Sequence, residues 1–194
     1  FIASDETWAK KFQEKNIPCI GDDIKGQVGA TIVHRTLAKL CSDRGTKIDS
    51  TYQINVGGNT DFLNMKEQDR LISKKISKTE SVQSQLKERL PDDQIYVGPS
   101  DFIPFLGNTK LMFMRIEGRQ WANQPYNMEV RLEVDDKANS AGIVIDAIRL
   151  AKIALDRKIG GPIKPASAYL MKHPIEQTSD VQAKFDCEKF VANE

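Results

Sequence analysis

Four lysines, two acidic pairs and a run of amides carry most of the chemistry open to this 194-residue chain. Lys74 and Lys78 are four residues apart, so on a helix they share one face with Cβ atoms about 5–6 Å apart. Two like charges there repel mildly, but an anion between them reverses the sign. A unit charge pair at about 4 Å gains about 4 kcal/mol at an effective dielectric of about 20. Ser73 and Ser77 would add hydroxyl donors to such an anion clamp; two solvated surface lysines are the alternative reading of the same spacing. Lys110 follows the turn Gly107-Asn108-Thr109, and Lys172 ends Tyr169-Leu170-Met171 before His173-Pro174. Asp22-Asp23 and Asp135-Asp136 stand at element ends, where capping explains carboxylates as well as acid–base chemistry does.

The amides belong to Asn55-Val56-Gly57-Gly58-Asn59-Thr60-Asp61, after the β-like Tyr52-Gln53-Ile54. A glycine pair lets the backbone approach a ligand or another segment closely. Asn59 or Asp61 would cap a following helix or hold ligand hydroxyls. Both readings, a capped strand-to-helix turn and a wall of a binding site, fit these residues.

Other chemistries are excluded. His34 and His173 have no cysteine or histidine at ligand spacing, which removes a His/Cys zinc site, and there is no G-x-S-x-G elbow. Net charge is +1, so no global field favours nucleic acid or an anionic membrane, and Trp8 and Trp121 read as core or interface anchors. No apolar run approaches the roughly 20 residues that span a bilayer. Three widely spaced cysteines, Cys19, Cys41 and Cys187, argue against a disulfide framework and fit a cytoplasmic location.

Positioning these groups takes the following elements. Ser4 or Asp5 caps a helix over residues 5–15, and a second helix runs over residues 28–44 until Gly45 stops it. Val28, Ile32, Val33, Leu37, Leu40 and Cys41 give that helix its apolar repeat. Residues 48–56 read as a strand, 61–71 and 75–90 as helices, 91–93 as a turn and 95–97 as a short strand. Residues 111–117 are apolar on both faces, as in a central strand. In residues 126–135, Met128, Val130, Leu132 and Val134 alternate with polar residues, as in a half-solvated antiparallel strand. Asn139 or Ser140 caps a helix to about residue 157, apolar on most sides and expected to be buried between layers. Gly160-Gly161-Pro162 breaks the chain before helices at residues 166–172 and 180–192. The sum is an α+β fold, a mostly antiparallel sheet with helices on one face and no G-x-G-x-x-G turn. Phe1-Ile2-Ala3-Ser4 reads as a strand end, implying that the chain begins inside a longer protein.

Six blocks in order resemble the myo-inositol-1-phosphate synthase (inositol-3-phosphate synthase) family in its shorter bacterial and archaeal form. They are Gly21-Asp22-Asp23-Ile24-Lys25, Asn55 to Asp61, Ser73 to Lys78, Gly107-Asn108-Thr109-Lys110, Asp136 to Asp146, and Ala168-Tyr169-Leu170-Met171-Lys172. The resemblance covers nearly the whole chain and corresponds to the C-terminal half of the family's subunit, without its N-terminal Rossmann half. It implies a fold like the C-terminal catalytic domain of glyceraldehyde-3-phosphate-dehydrogenase-like enzymes. Residues 1–24 would be the tail of a dinucleotide-binding domain and linker. Residues 25–137 would form a catalytic and tetramerisation domain, and residues 138–194 would be C-terminal helices packing back on the dinucleotide-binding domain.

The implied reaction is cyclisation of glucose 6-phosphate to inositol 3-phosphate with NAD as recycled cofactor: oxidation at C5, enolisation, intramolecular aldol closure and reduction. Carried over by position, Lys74, Lys78, Lys110, Lys172, Asp23 and Asp136 would be catalytic. Asn55, Asn59, Lys78 and Lys110 would bind substrate, and Gly26, Asp61, Lys74 and Gly107 would face the cofactor. Gly26 stands where the family usually has serine, which removes one hydroxyl contact. A divalent or monovalent cation is compatible with the aspartate pairs, a homotetramer is implied, and this chain alone is expected to be inactive. A non-catalytic phospho-sugar-binding module and an NAD-dependent sugar-phosphate dehydrogenase are the competing functions.

Overall fold

Residues 1–64, 76 and 78–194 are described by a computed structural model, and they fall into two units: Val28–Asn139, and the paired segments Phe1–Gln27 and Ser140–Glu194. In chain order the elements are α1 (Glu6–Glu14), β1 (Pro18–Cys19), α2 (Ala30–Asp43), β2 (Lys47–Gly57), α3 (Thr60–Asn64), β3 (Ile95–Phe102) and β4 (Thr109–Arg119). They continue with β5 (Pro125–Asp135), α4 (Asp136–Asp156), β6 (Gly161–Pro162), α5 (Lys164–Leu170) and α6 (Asp180–Ala192). Residues 78–83 are also helical.

The Val28–Asn139 unit is a four-stranded sheet in the order β3-β2-β4-β5. β4 runs antiparallel to both neighbours and β2 parallel to β3, so the sheet is mixed. Its buried face presents Ile48 from β2, Ile95 and Val97 from β3, and Met112, Met114 and Ile116 from β4 to a core that includes Ala38 and Cys41 of α2. The alternation expected in β5 is present residue by residue. β4 is central in hydrogen bonding, yet its apolar residues are fully buried on one face only, and Phe113 on the other remains exposed. α2 ends with Gly45 at φ 73°, a left-handed position that glycine takes without steric strain.

Three expectations are corrected here. The helix expected over residues 75–90 ends at residue 83. Arg35 Nη1 donates to the Ser81 carbonyl at 2.6 Å, and the Gln85 amide turns to Val82 O instead. Gln83 then closes the turn, its amide exchanging two hydrogen bonds with the Leu90 backbone. The strand expected over residues 95–97 continues to Phe102, because β3 lies at the sheet edge, where Pro99 breaks no ladder. The helix expected from residue 139 begins at Asp136, and it is not buried on all sides: Ile145 and Ile148 are exposed, while Leu150 and Ala154 are buried.

In the other unit β1 pairs in parallel with β6, and Leu150, Ala154, Ile163, Ala166, Leu170, Met171 and Cys187 form a second core. Asp5 caps α1 and Ser179 caps α6. Residues 1–4 make a turn rather than a strand end. The amides of Ile2, Ala3 and Ser4 and the Ser4 hydroxyl all donate to the Asp22 carboxylate at 2.7–3.3 Å. Burial would raise that carboxyl's pKa, but these hydrogen bonds outweigh it and hold the group below the usual carboxylate range.

Candidate active site

In the Val28–Asn139 unit the sheet register places Gly57 at the end of β2 opposite Lys110 at the start of β4, with Asp135 ending β5 opposite Thr109. At this one end of the sheet three expected site residues meet. Lys110 Nζ donates to Asp136 Oδ1 at 3.1 Å, and Asn59 Nδ2 donates to Asp136 Oδ2 at 2.9 Å. Asp136 opens α4, where the helix dipole favours an anion, and its own amide donates to Asn108 O. The Lys110 ammonium also stands 5.6 Å from the Phe62 ring centroid. The pair is mostly shielded, with side-chain exposures of 20% and 16%.

Asn59 satisfies both sequence readings at once. Its Oδ1 accepts from the Asp61 and Phe62 amides and caps α3, while its Nδ2 holds Asp136. The glycines before it are required by packing: a Cβ on Gly57 would lie 2.5 Å from the Phe62 ring, and one on Gly58 would lie 2.4 Å from Gly107 N. Gly107 itself takes φ 55° with open space where a Cβ would point, beside the almost fully exposed Phe105. Asp61 is exposed, and Lys78 is buried on the helical stretch 78–83. Lys74 lies outside the described residues.

Asn55 is fully buried, and its amide is committed to the fold. Its Nδ2 donates to Gly98 O at 2.8 Å and its Oδ1 accepts from Gln53 Nε2 at 3.2 Å. Gln53 Oε1 lies 3.2 Å from Nδ1 of His34, whose Nε2 is 2.9 Å from Thr51 Oγ1. The Gly98 carbonyl thus orients Asn55, Asn55 orients Gln53, and Gln53 presents its Oε1 to His34 Nδ1. Burial, opposed in part by the Gln53 contact, lowers the His34 pKa to about 4.

In the unit formed by Phe1–Gln27 and Ser140–Glu194 a second lysine–carboxylate pair forms. Lys172 Nζ donates to Asp23 Oδ1 at 2.9 Å, with side-chain exposures of 14% and 16%. The Lys172 amide donates to Asp23 O at 2.6 Å, and Asp22 and His173 exchange two backbone bonds alongside. Asp23 sits at φ 59°, a left-handed conformation uncommon outside glycine. Gly26 is half-buried three residues further on.

Two buried cations escaped sequence reasoning, Lys25 at 1% exposure and Arg35 at 0%. Arg35 lies on the covered face of α2 with Thr31, His34 and Ala38, where a charged residue must find internal partners; the apolar repeat, with Val28 and Leu40 exposed, does not mark that face. Among the described residues no group of three His, Cys, Asp or Glu side chains is arranged to hold a metal, and no helix is long and apolar enough to cross a membrane. Cys19, Cys41 and Cys187 are free thiols.

A mixed sheet with one covered face and a lysine, an aspartate and an asparagine joined at its end defines an α+β domain with a charged and polar cluster at one end of its sheet. The chain belongs to the myo-inositol-1-phosphate synthase family, whose model matches residues 29–137. The inositol-3-phosphate synthase of Mycobacterium tuberculosis is 56% identical over 191 residues, covering 98% of this chain and 52% of that protein. That of Mycolicibacterium smegmatis is 55% identical over 195 residues, covering 98% and 54%. Among solved structures, a myo-inositol-1-phosphate synthase-related protein from Thermotoga maritima superposes with a TM-score of 0.84 at 27% identity, over 100% of this chain and 50% of that one. The chain spans about half the length of the curated relatives it matches.

Proposed function

We propose that the protein containing this chain converts glucose 6-phosphate to inositol 3-phosphate with NAD, and that this chain supplies its catalytic lysines and aspartates. The observation that carries the reading is the pair of shielded lysine–carboxylate contacts, Lys110–Asp136 and Lys172–Asp23. Shielded ion pairs contribute little net stability, because desolvation offsets their attraction, so their role is better sought in chemistry. A lysine held in place by a carboxylate is suited to stabilising an oxyanion as it develops.

In this reading Lys78 and Lys110 bind the phosphate, with Lys110 oriented by Asp136. Lys172 and Lys74 act at the C5 oxygen and in proton transfer, with Lys172 held by Asp23. Asn59 fixes Asp136 and faces the sugar, and Asn55 acts from within the sheet. NAD, when bound, supplies hydride acceptance and return at C5; Gly107, Gly26 and Asp61 would line its nicotinamide end, with Lys74. The half-exposed sheet face bearing Tyr52, Tyr96 and Phe113 is a fitting subunit contact for a homotetramer.

The test is an assay of the full-length protein with glucose 6-phosphate and NAD, following inositol phosphate by NMR and NADH by absorbance. Inositol phosphate should form without net NADH, and Lys172→Ala should slow turnover by about a hundredfold to ten-thousandfold while leaving a measurable residue. No inositol phosphate, or an unimpaired Lys172→Ala variant, would refute the assignment. Stoichiometric NADH would point to a dehydrogenase.

A further inference from the structure

Lys25 is 1% exposed, and its ammonium has three acceptors around it: Ala168 O at 2.8 Å, Tyr169 O at 3.3 Å and Asp180 Oδ1 at 3.2 Å. At 1% exposure and held by two carbonyls and a carboxylate, the Lys25 ammonium is part of the interior. Its surroundings give it a task there.

Ala168 and Tyr169 form the last turn of α5, and Lys172 leaves the chain directly after that turn. Asp180 is the first residue of α6. The Lys25 amide donates to Leu170 O at 2.9 Å, Ile24 bridges Met171, and the Lys172 amide donates to Asp23 O at 2.6 Å. Residues 22–25 and 170–173 therefore form one short antiparallel clasp. The Lys172–Asp23 contact lies toward one end of it, and the Lys25 ammonium grips the other. We propose that Lys25, anchored by Asp180, is a positioning residue that sets the distance between Lys172 and Asp23. The inference rests on the reading of that pair as catalytic.

The physical reason is directional. A buried apolar side chain of similar size would fill the same volume and avoid the desolvation penalty of a charge. It would not pull two carbonyls of a helix end and the start of another helix toward one point. Without the ammonium, the last turn of α5 loses its tether and Lys172 loses its fixed origin. Displacements of about 1 Å in a reacting group cost up to about a hundredfold in rate.

The experiment uses the full-length protein with Lys25→Met, Asp180→Asn, Lys172→Ala and the double variant Lys25→Met/Lys172→Ala. Folding is checked by circular dichroism and turnover by inositol phosphate formation. Lys25→Met and Asp180→Asn should lower kcat about tenfold to a hundredfold with KM within about twofold, and should move a limb of the kcat–pH profile. The double variant should be no slower than Lys172→Ala, because Lys25 acts through Lys172. A crystal structure of Asp180→Asn should show the Lys172 Nζ–Asp23 separation lengthened beyond hydrogen-bond range. Wild-type kcat and pH profile in both single variants, a further loss in the double variant, or an unchanged separation overturns the proposal. If Lys25→Met does not fold, Asp180→Asn decides by the same criteria. An inactive wild type, or an unimpaired Lys172→Ala, refutes the proposed function instead, and the crystallographic distance still judges the positioning role.

Discussion

His34 gives the protein an acid limit that can be worked out from its surroundings. The ring is fully buried beneath the sheet, between Gln53 and Thr51, and its pKa falls from 6.5 to about 4. A histidine whose folded pKa is depressed binds its proton more readily in the unfolded chain. Above pH 6.5 both states hold the neutral ring and nothing is lost. As pH falls from about 6.5 to about 4, each unit removes about 1.4 kcal/mol of stability, about 3 kcal/mol in all. His34→Gln keeps one donor and one acceptor in the same place and does not titrate. Denaturant unfolding of wild type and variant at several pH values between 7 and 4, monitored at the folding transition of the Val28–Asn139 unit, measures the difference. The variant should lack the histidine slope. NMR of the imidazole carbons offers a direct check, since the chain has two histidines and the variant assigns one of them. A His34 resonance titrating near pH 6, or parallel stability curves for the two proteins, would refute the reasoning.

Gly58→Ala should destabilise the domain by about 1–3 kcal/mol, because its Cβ would lie 2.4 Å from Gly107 N and backbone cannot yield as a side chain does; thermal unfolding reads the effect. Arg35→Met should cost about 2–4 kcal/mol, since it strips the guanidinium from Ser81 O, Ser81 Oγ and Ser84 Oγ inside the fold; a loss under about 0.5 kcal/mol in denaturant titration would contradict this. Asp22→Asn should weaken the protein at neutral pH. The wild-type carboxyl has a depressed folded pKa, so its contribution is present above about pH 3.8 and lost as pH falls through the folded value; the gap between the two proteins should narrow in that acid range.

Elements whose burial follows their own period were legible in the sequence. β5 is the example, since its alternation decides which side is covered; α2 is a helix as expected, but its covered face carries Thr31, His34, Arg35, Ala38 and Cys41, and Val28 and Leu40 of the apolar repeat are exposed. β3 was underestimated because Gly98 and Pro99 look like a strand end; what extends it is its edge position and the Asn55 side chain donating to Gly98 O. The helix after residue 78 was overestimated because its shortening comes from Arg35, more than forty residues away in sequence. At the site, the lysine and aspartate positions came from ordered motifs, but their partners did not. Lys110 meets Asp136 through the register of two strands, and Lys172 meets Asp23 through a clasp between distant segments. Lys25 stands in the first motif block, but nothing in its spacing marks it as interior, and Arg35 falls outside the apolar repeat from which α2 is predicted.

The hydrogen bond from the Val28 amide to Asn139 Oδ1, 2.8 Å long, joins the first and last residues of one unit. It has a consequence for how the chain folds as it is made. Asp23 and Lys172 are 149 residues apart, so at roughly 5–20 residues per second Asp23 waits on the order of 10 s for its partner to emerge. The inserted unit is complete well before then. Once folded, it holds its two ends together and cuts the remaining loop to roughly a quarter, which lowers the closure entropy by about 1 kcal/mol. The late-forming pair is thus brought within reach by a segment that takes no part in it.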